Sequence, residues 1–369
     1  MSSGVVNESV YENAVIEVLK KAGWEYLYGP DIERADYRDP TMPDAVRSVV
    51  RKLNRDTPDD AINAALLKVR DIAGGTVLER NRIFTDYLQN GIEAPYFSHG
   101  EERTAIVDLI DFDHPERNLF QVVNQWTVIG RCERRADVVL FVNGLPLVVL
   151  ELKNPSKPET TCHDAFLQLK NYQYDIPELF TCNQICVVSD MVLTKAGTIT
   201  ADESWFKEWK SIDGKKEDQS VGNFETLLNG LLSPARLVEV LKNFICFDGD
   251  GHDAHKILAG YHQFFAVKKA VRQTQRAMAG DGRGGVFWHT QGSGKSLSMV
   301  FYAHLLASEL RSPTILVLTD RNDLDGQLYG QFLRCKKFLR QTAVQAESRV
   351  HLREFLAKQK QNGIFFSTI

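Results

Sequence analysis

Apolar residues recur at helical spacing near the start of the chain. Tyr11, Ala14, Val15, Val18, Leu19 and Ala22 fall at i, i+3, i+4, i+7, i+8 and i+11, a stripe that predicts an amphipathic helix over 8–23 ending at Gly23. At about 100° per residue, Glu8 and Glu12 lie on or beside that stripe while Glu17 faces away from it. Residues 25–105 carry further helical patterns around 58–73 and 77–90, broken by Pro and Gly, and no recognisable chemistry. From about 118 to 153 the pattern becomes strand-like, and the runs 137–142 and 147–153 flank Asn143-Gly144, a strong short-range hairpin signal. A helix over 163–174 and a strand over 184–189 follow, then a polar surface loop at 210–222.

A second break comes at the Asp/Gly-rich run 247–253. It does not fit a calcium loop, because Asp253 stands where the sharp turn needs Gly and Ala259 where the closing Glu belongs. It reads as a linker. Beyond it, 256–279 reads as a helix whose Lys268, Lys269, Arg272 and Arg276 form a solvated face, with DNA contact as the alternative. A strand over 285–289, a helix over 294–310, a strand over 313–319 and a helix over 327–339 follow, and the chain ends in a strand-like run. Strands alternating with helices predict a parallel α/β domain. The pattern stops just after a strand, which reads as a fragment.

The length of 369 residues suggests two or three domains, and 44 basic against 48 acidic residues gives a net charge of −4. With 43% hydrophobic and 25% charged residues, a disordered chain, a fibre and a strongly basic DNA coat are excluded. A DNA enzyme with a local basic groove is not. The longest apolar runs, 138–142 and 145–150, are far short of the ~18 residues of a membrane span, and the N-terminus shows no secretory signal. Of six cysteines only Cys182 and Cys186 are close, at a spacing that is no zinc knuckle. Buried free thiols in a reducing compartment are expected, hence a cytoplasmic protein without a membrane partner.

Asp137 and Glu151 are 14 residues apart with Gly144 at their midpoint. A hairpin turning there sets the carboxylates opposite each other, and strand alternation puts Lys153 on the face of Glu151. Two carboxylates can hold Mg²⁺ and a lysine can stabilise charge on a phosphate, the set that phosphodiester hydrolysis needs. The alternative is a solvated strand edge, disfavoured by the apolar runs on both sides. Gln168 and Tyr172, four apart on the next helix, share a face and either assist or merely pack. Glu12 or Glu8 could lend a further carboxylate, or serve as a solvated helix edge and a helix cap.

Thr290, Gln291, Gly292, Ser293, Gly294, Lys295 and Ser296 lie between the strand and helix predicted at 285–289 and 294–310. Glycines let backbone N–H groups wrap phosphates, Lys295 can reach them, and Ser296 can ligate Mg²⁺. His289 stands where the full pattern has Gly. Upstream, Gln263 lies where helicases carry an adenine-reading glutamine, and 319–327 would line the same crevice.

Several strings, in this order, resemble the restriction (motor) subunit of type I restriction-modification enzymes. They are residues 135–155, Gln168 to Tyr172, 261–267, 288–296 and 318–325. The resemblance implies an α/β chain: a PD-(D/E)xK restriction-endonuclease-like domain over 1–245, a linker over 246–258, and the first part of a RecA-like P-loop helicase domain of superfamily 2 over 259–369. Ala136 replaces the usual proline of the nuclease pattern. By resemblance Asp137, Glu151 and Lys153 match the nuclease core, Gln168 and Tyr172 its accessory motif, and Gln263 the adenine-reading motif. Lys295 and Ser296 match Walker A, Glu12 matches a helix-one acid, and Lys195 is given no role. The implied activity is metal-dependent cleavage of double-stranded DNA coupled to ATP-driven translocation. Mg²⁺ and ATP are the cofactors, and the modification and specificity subunits of a methyltransferase complex are the partners. Without a Walker B motif in these 369 residues, no ATP hydrolysis by the chain alone is expected. Two other readings stay open, a nuclease-helicase of DNA repair or recombination and a non-catalytic DNA- or ATP-binding adaptor.

Overall fold

The helix at the start of the chain runs Glu8–Lys21 (α1), with Tyr11, Val15 and Leu19 buried along its stripe and Glu17 exposed beside Lys20. It belongs to a computed structural model that describes residues 8–153, 160–220, 222, 224–310, 313–320, 322–358 and 363–368. The side chain of Glu8 falls outside the described set. The chain divides into two units, Met1–Lys242 and Asn243–Ile369.

In the first unit α1 is followed by β1 (Glu25–Tyr28), α2 (Pro43–Leu53), α3 (Asp59–Arg70), α4 (Val77–Asn90) and a hairpin of β2 (Ile92–Ser98) and β3 (Glu101–Val107). Next come β4 (Phe120–Ile129), β5 (Glu133–Val142), β6 (Leu145–Leu152), α5 (Cys162–Asp175), α6 (Pro177–Cys182), β7 (Ile185–Ser189), β8 (Thr194–Gly197), α7 (Phe224–Leu231) and α8 (Pro234–Asn243). Six strands form one mixed sheet in the order β1-β4-β5-β6-β7-β8, with β1 parallel to β4 and β6 parallel to β7. All eight residues of β6 are buried, which explains why its sequence shows a continuous apolar run rather than alternation. The β5–β6 turn places Asn143 and Gly144 both in the left-handed region, φ 55° and 80°, as a tight two-residue hairpin requires. Asn143 is itself buried: its amide donates to the carbonyl of Leu109 and to Asn118, and its side-chain oxygen accepts from the N–H of Leu119.

One irregularity shapes the sheet. Asn124 pairs with Val138 and Trp126 with Ala136, but Gln125, at φ 56°, drops out of the ladder opposite Asp137. The core side of β4 switches there from Val123 to Trp126 and Val128, which pack with α5 residues Ala165, Leu169 and Tyr172. Each such fully buried aliphatic contributes about 1.5–3 kcal/mol.

The second unit contains β9 (Ile245–Asp248), β10 (His255–Leu258), α9 (Tyr261–Met278), α10 (Lys295–Glu309), β11 (Thr314–Thr319), α11 (Asn322–Arg334), α12 (Lys336–Leu339), β12 (Val344–Gln345), α13 (Arg349–Lys358) and β13 (Gly363–Thr368). β13 lies between β11 and β12 and is parallel to both. Phe264 of α9 and Phe301 of α10 pack on Phe244, ring centroids 4.6 and 5.6 Å away. Lys269, Arg272 and Arg276 are exposed on α9.

Two expectations for this unit change. Residues 246–258, read as a linker, instead carry the antiparallel hairpin β9–β10, because the Asp/Gly run is its turn. Residues 285–289, read as a strand, have no regular structure, with Val286 94% and Trp288 77% exposed. A strand exists only with a ladder partner, and no described strand pairs with this segment. All six cysteines are free, five buried and Cys132 exposed. No described helix is long and apolar enough to cross a membrane.

Candidate active site

Strand register builds the first site. The β5–β6 ladder ends at Val138 opposite Leu150, so Asp137 and Glu151 occupy the next facing positions. They are on the α5 side of the sheet, the side of Val139 and Val149. Glu151 is only 2% exposed, and its Oε1 accepts from Lys153 Nζ at 2.7 Å. Asp137 Oδ2 accepts from the backbone N–H of Leu152 at 2.8 Å, which ties the two strands together at this end. The backbone of Lys153 donates to the carbonyl of Ser189 at 2.8 Å, extending β6 against β7.

From α5, Tyr172 reaches this group. Its hydroxyl donates to the carbonyl of Arg135 at 3.0 Å. Burial raises its phenol pKa well above the ordinary range, the negative charges of Glu151 and Asp137 raise it further, and a hydrogen bond with Gln168 opposes them. Tyr172 thus meets the carboxylates from α5, with Gln168 hydrogen-bonded to it on the same face.

Two consecutive residues of α1 brace the site. The buried carboxylate of Glu12 accepts from the side-chain amides of Asn124 and, at 2.8 Å, Gln125. The Tyr11 hydroxyl meets Ser189 Oγ at 2.6 Å, on the residue whose carbonyl holds Lys153. Tyr11, Asn124, Gln125 and Ser189 are neighbours of the candidate site that sequence reasoning missed. Among the described residues no group of three or more His, Cys, Asp or Glu is arranged to hold a metal. Glu12 directs its carboxylate at the amides of Asn124 and Gln125. The two strand carboxylates remain, a hard-oxygen donor pair that suits a Mg²⁺ filling its shell with water and phosphate.

The second site is the loop 290–296. Gly292 and Gly294 have φ of 80° and 79°, and Gly294 caps α10, whose first residue is Lys295. Lys295 Nζ folds back onto the carbonyls of His289 and Thr290 at 2.8 and 3.1 Å, and Ser293 Oγ donates to Thr290 at 2.8 Å. Gln263 is buried at the start of α9: its oxygen accepts from the N–H of Gly260, and its amide donates to the carbonyl of Gly294 at 3.0 Å. His262 meets the carbonyl of Ser293 at 3.2 Å. So α9 grips the loop by two side chains. The imidazolium of His289 is disfavoured by partial burial and by neighbouring His262 and Lys295. The side chains of 321–325, in the stretch expected to line this crevice, lie outside the described residues.

Residues 6–205 match the family profile described as Type I restriction enzyme R protein N terminus, and 262–369 match the profile described as SWI2/SNF2 ATPase. The chain is 40% identical to the type I restriction enzyme HindI endonuclease subunit of Haemophilus influenzae, over 99% of this chain and 36% of that protein. It is 35% identical to the putative type I restriction enzyme MjaIXP endonuclease subunit of Methanocaldococcus jannaschii, over 98% of this chain and 37% of that one. A Staphylococcus aureus type I restriction endonuclease subunit is 25% identical over 90% of this chain and 34% of its own length. The chain thus spans little more than a third of these curated relatives. Because the first of those profiles covers more than half of its residues, the chain belongs to the family of type I restriction enzyme R protein N termini.

Proposed function

We propose that this chain supplies the DNA-cutting centre and the phosphate loop of a type I restriction endonuclease R subunit. The single observation behind this is the register that sets Asp137 opposite Glu151, with Lys153 2.7 Å from Glu151 in a nearly dry strand end. In this reading the first unit is a PD-(D/E)xK nuclease and the second part of a RecA-like motor domain. Asp137 and Glu151 would hold Mg²⁺, which polarises the phosphate and lowers the pKa of a water. The Lys153 ammonium stabilises charge growing on the non-bridging phosphate oxygens. Water adds to phosphorus and releases a proton to solvent, the P–O bond to the leaving strand end breaks, and the leaving oxygen takes up a proton in turn. Tyr172 stays protonated and, with Gln168, holds the carboxylates from the α5 side. Glu12 is a positioning residue, fixing the amides of Asn124 and Gln125 behind Asp137.

At the second site, backbone N–H groups of 291–295 and Lys295 would hold the phosphates of ATP, and Ser296 its Mg²⁺. Gln263, tied to Gly294, links the adenine side to the loop. Double-stranded DNA is the substrate, with modification and specificity subunits as partners in the cytoplasm, and translocation belongs to the whole protein. Calorimetric titration separates the parts. Mn²⁺ binding is expected to vanish in Asp137→Asn/Glu151→Gln, and ATP binding in Lys295→Ala. Unchanged Mn²⁺ affinity in the double variant would refute the metal assignment.

A further inference from the structure

The segment Gly130-Arg-Cys-Glu-Arg-Arg135, the link after β4 and the first residues of β5, leads straight into Asp137 and carries three arginines. The last turn of α5 organises all three. Tyr172 holds the backbone of Arg135 through its carbonyl. The ring of Tyr174 lies 4.2 Å from the guanidinium carbon of Arg131, whose N–H donates to the carbonyl of Asp175 at 2.7 Å. One oxygen of Asp175, Oδ2, takes both Nε and Nη2 of Arg134, at 2.7 and 2.6 Å. A glycine makes the approach possible, since a Cβ on Gly130 would stand 2.3 Å from the carbonyl oxygen of Asp175.

This arrangement leaves two cations at the surface. Arg134 is neutralised by Asp175, whereas Arg131 and Arg135 are exposed. Tyr174 is 66% exposed, so burial does not account for it; it serves as a platform that pre-orients the Arg131 guanidinium. In a chain of net charge −4, exposed arginines two and six residues before a carboxylate of the candidate site, one stacked on Tyr174 and one held by its backbone, have a specific use. A phosphodiester drawn toward Asp137 and Glu151 meets two carboxylates that repel it, and neighbouring phosphates need cations on the approach.

We propose that Arg131 and Arg135 contact the phosphate backbone of duplex DNA entering the Asp137–Glu151 site, with Tyr172 to Asp175 as their scaffold. The assignment rests on the nuclease reading and adds a substrate track to it. Tyr172 joins the two, touching Arg135 on one side and the field of Glu151 on the other.

The test is binding of a fluorescent duplex of about 30 base pairs, without divalent metal, across a KCl series, with folding checked by circular dichroism. Each phosphate contact contributes roughly 0.9 to the log–log salt slope. Arg131→Gln/Arg135→Gln is expected to weaken binding at least about ten-fold near 0.1 M salt and to flatten the slope by about 2. The Arg131→Lys/Arg135→Lys variant keeps the slope because it keeps the charge. A glutamine pair with the wild-type slope, or a lysine pair that loses as much as the glutamine pair, would overturn the proposal. Plasmid nicking lost in Lys153→Ala would meanwhile uphold the nuclease reading whichever way the slopes fall. Flattened slopes with no metal-dependent nicking by wild type would sink that reading and leave the DNA surface standing.

Discussion

Lys153 and Lys295 each close a short motif suited to phosphate chemistry, yet their surroundings have little in common. Lys153 ends a strand buried on both faces and pairs with a carboxylate that is 3% exposed. Lys295 opens a helix after an exposed loop and rests on two backbone carbonyls. The first site is assembled by a hairpin whose two halves lie within about twenty residues, so its geometry comes with the sheet. The second follows residues 285–289, which have no regular structure and pair with no described strand. A pair of side chains set opposite each other by local register forms wherever its hairpin folds, while a strand forms only where a partner lies beside it.

Truncating both lysines breaks that comparison open. Lys153→Ala strands a buried carboxylate and should cost about 3 kcal/mol in urea unfolding of the first unit. Adding Glu151→Gln should return most of that stability without restoring any DNA cleavage. A single variant as stable as wild type would mean the pair is solvated.

An alkaline titration is next in size. Burial raises the Tyr11 phenol to about 12, so its contribution is complete below pH 10, where both states keep the proton. As pH rises from 10 toward 12 the unfolded chain ionises first, and roughly 2–3 kcal/mol should be lost. Tyr172, also raised by burial and by Glu151, steepens the fall. Tyr11→Phe should flatten it in pH-dependent unfolding, and an unchanged profile would contradict the buried phenol.

Tyr172→Phe removes one hydrogen bond to Arg135 and should cost about 1 kcal/mol, while slowing cleavage about ten-fold through the lost alignment. Cleavage by Tyr172→Phe at the wild-type rate would argue that the side chain only packs. Smallest in stability is Lys295→Ala, under about 1 kcal/mol because the ammonium is exposed, although ATP affinity should fall at least ten-fold. A large loss of stability there would show the phosphate loop to be as integral to its unit as the hairpin is.

How much the sequence disclosed follows the same division. Asn143-Gly144, the apolar runs around it and the equal spacing of Asp137 and Glu151 from Gly144 are local, and the ladder follows them. The helix pairing Gln168 with Tyr172 is equally local. The inversion at Gln125 was invisible because nothing in its residue type announces a positive φ inside a strand. Glu12 could be placed on the inner stripe of α1, but its partners Asn124 and Gln125 are 112 and 113 residues away. The run 285–289 has strand composition and no partner among the described residues, and composition reports only the first of these. The β9–β10 hairpin was hidden by short strands on either side of a turn rich in Asp and Gly.

Supercoiled plasmid incubated with Mg²⁺ or Mn²⁺ and no ATP, beside the folded Lys153→Ala variant, tests the hairpin site most directly. Metal-dependent nicking by wild type that falls at least about a hundred-fold in the variant is the predicted result. Nicking at the same rate by both proteins, or none by wild type, would contradict a catalytic centre at Asp137, Glu151 and Lys153.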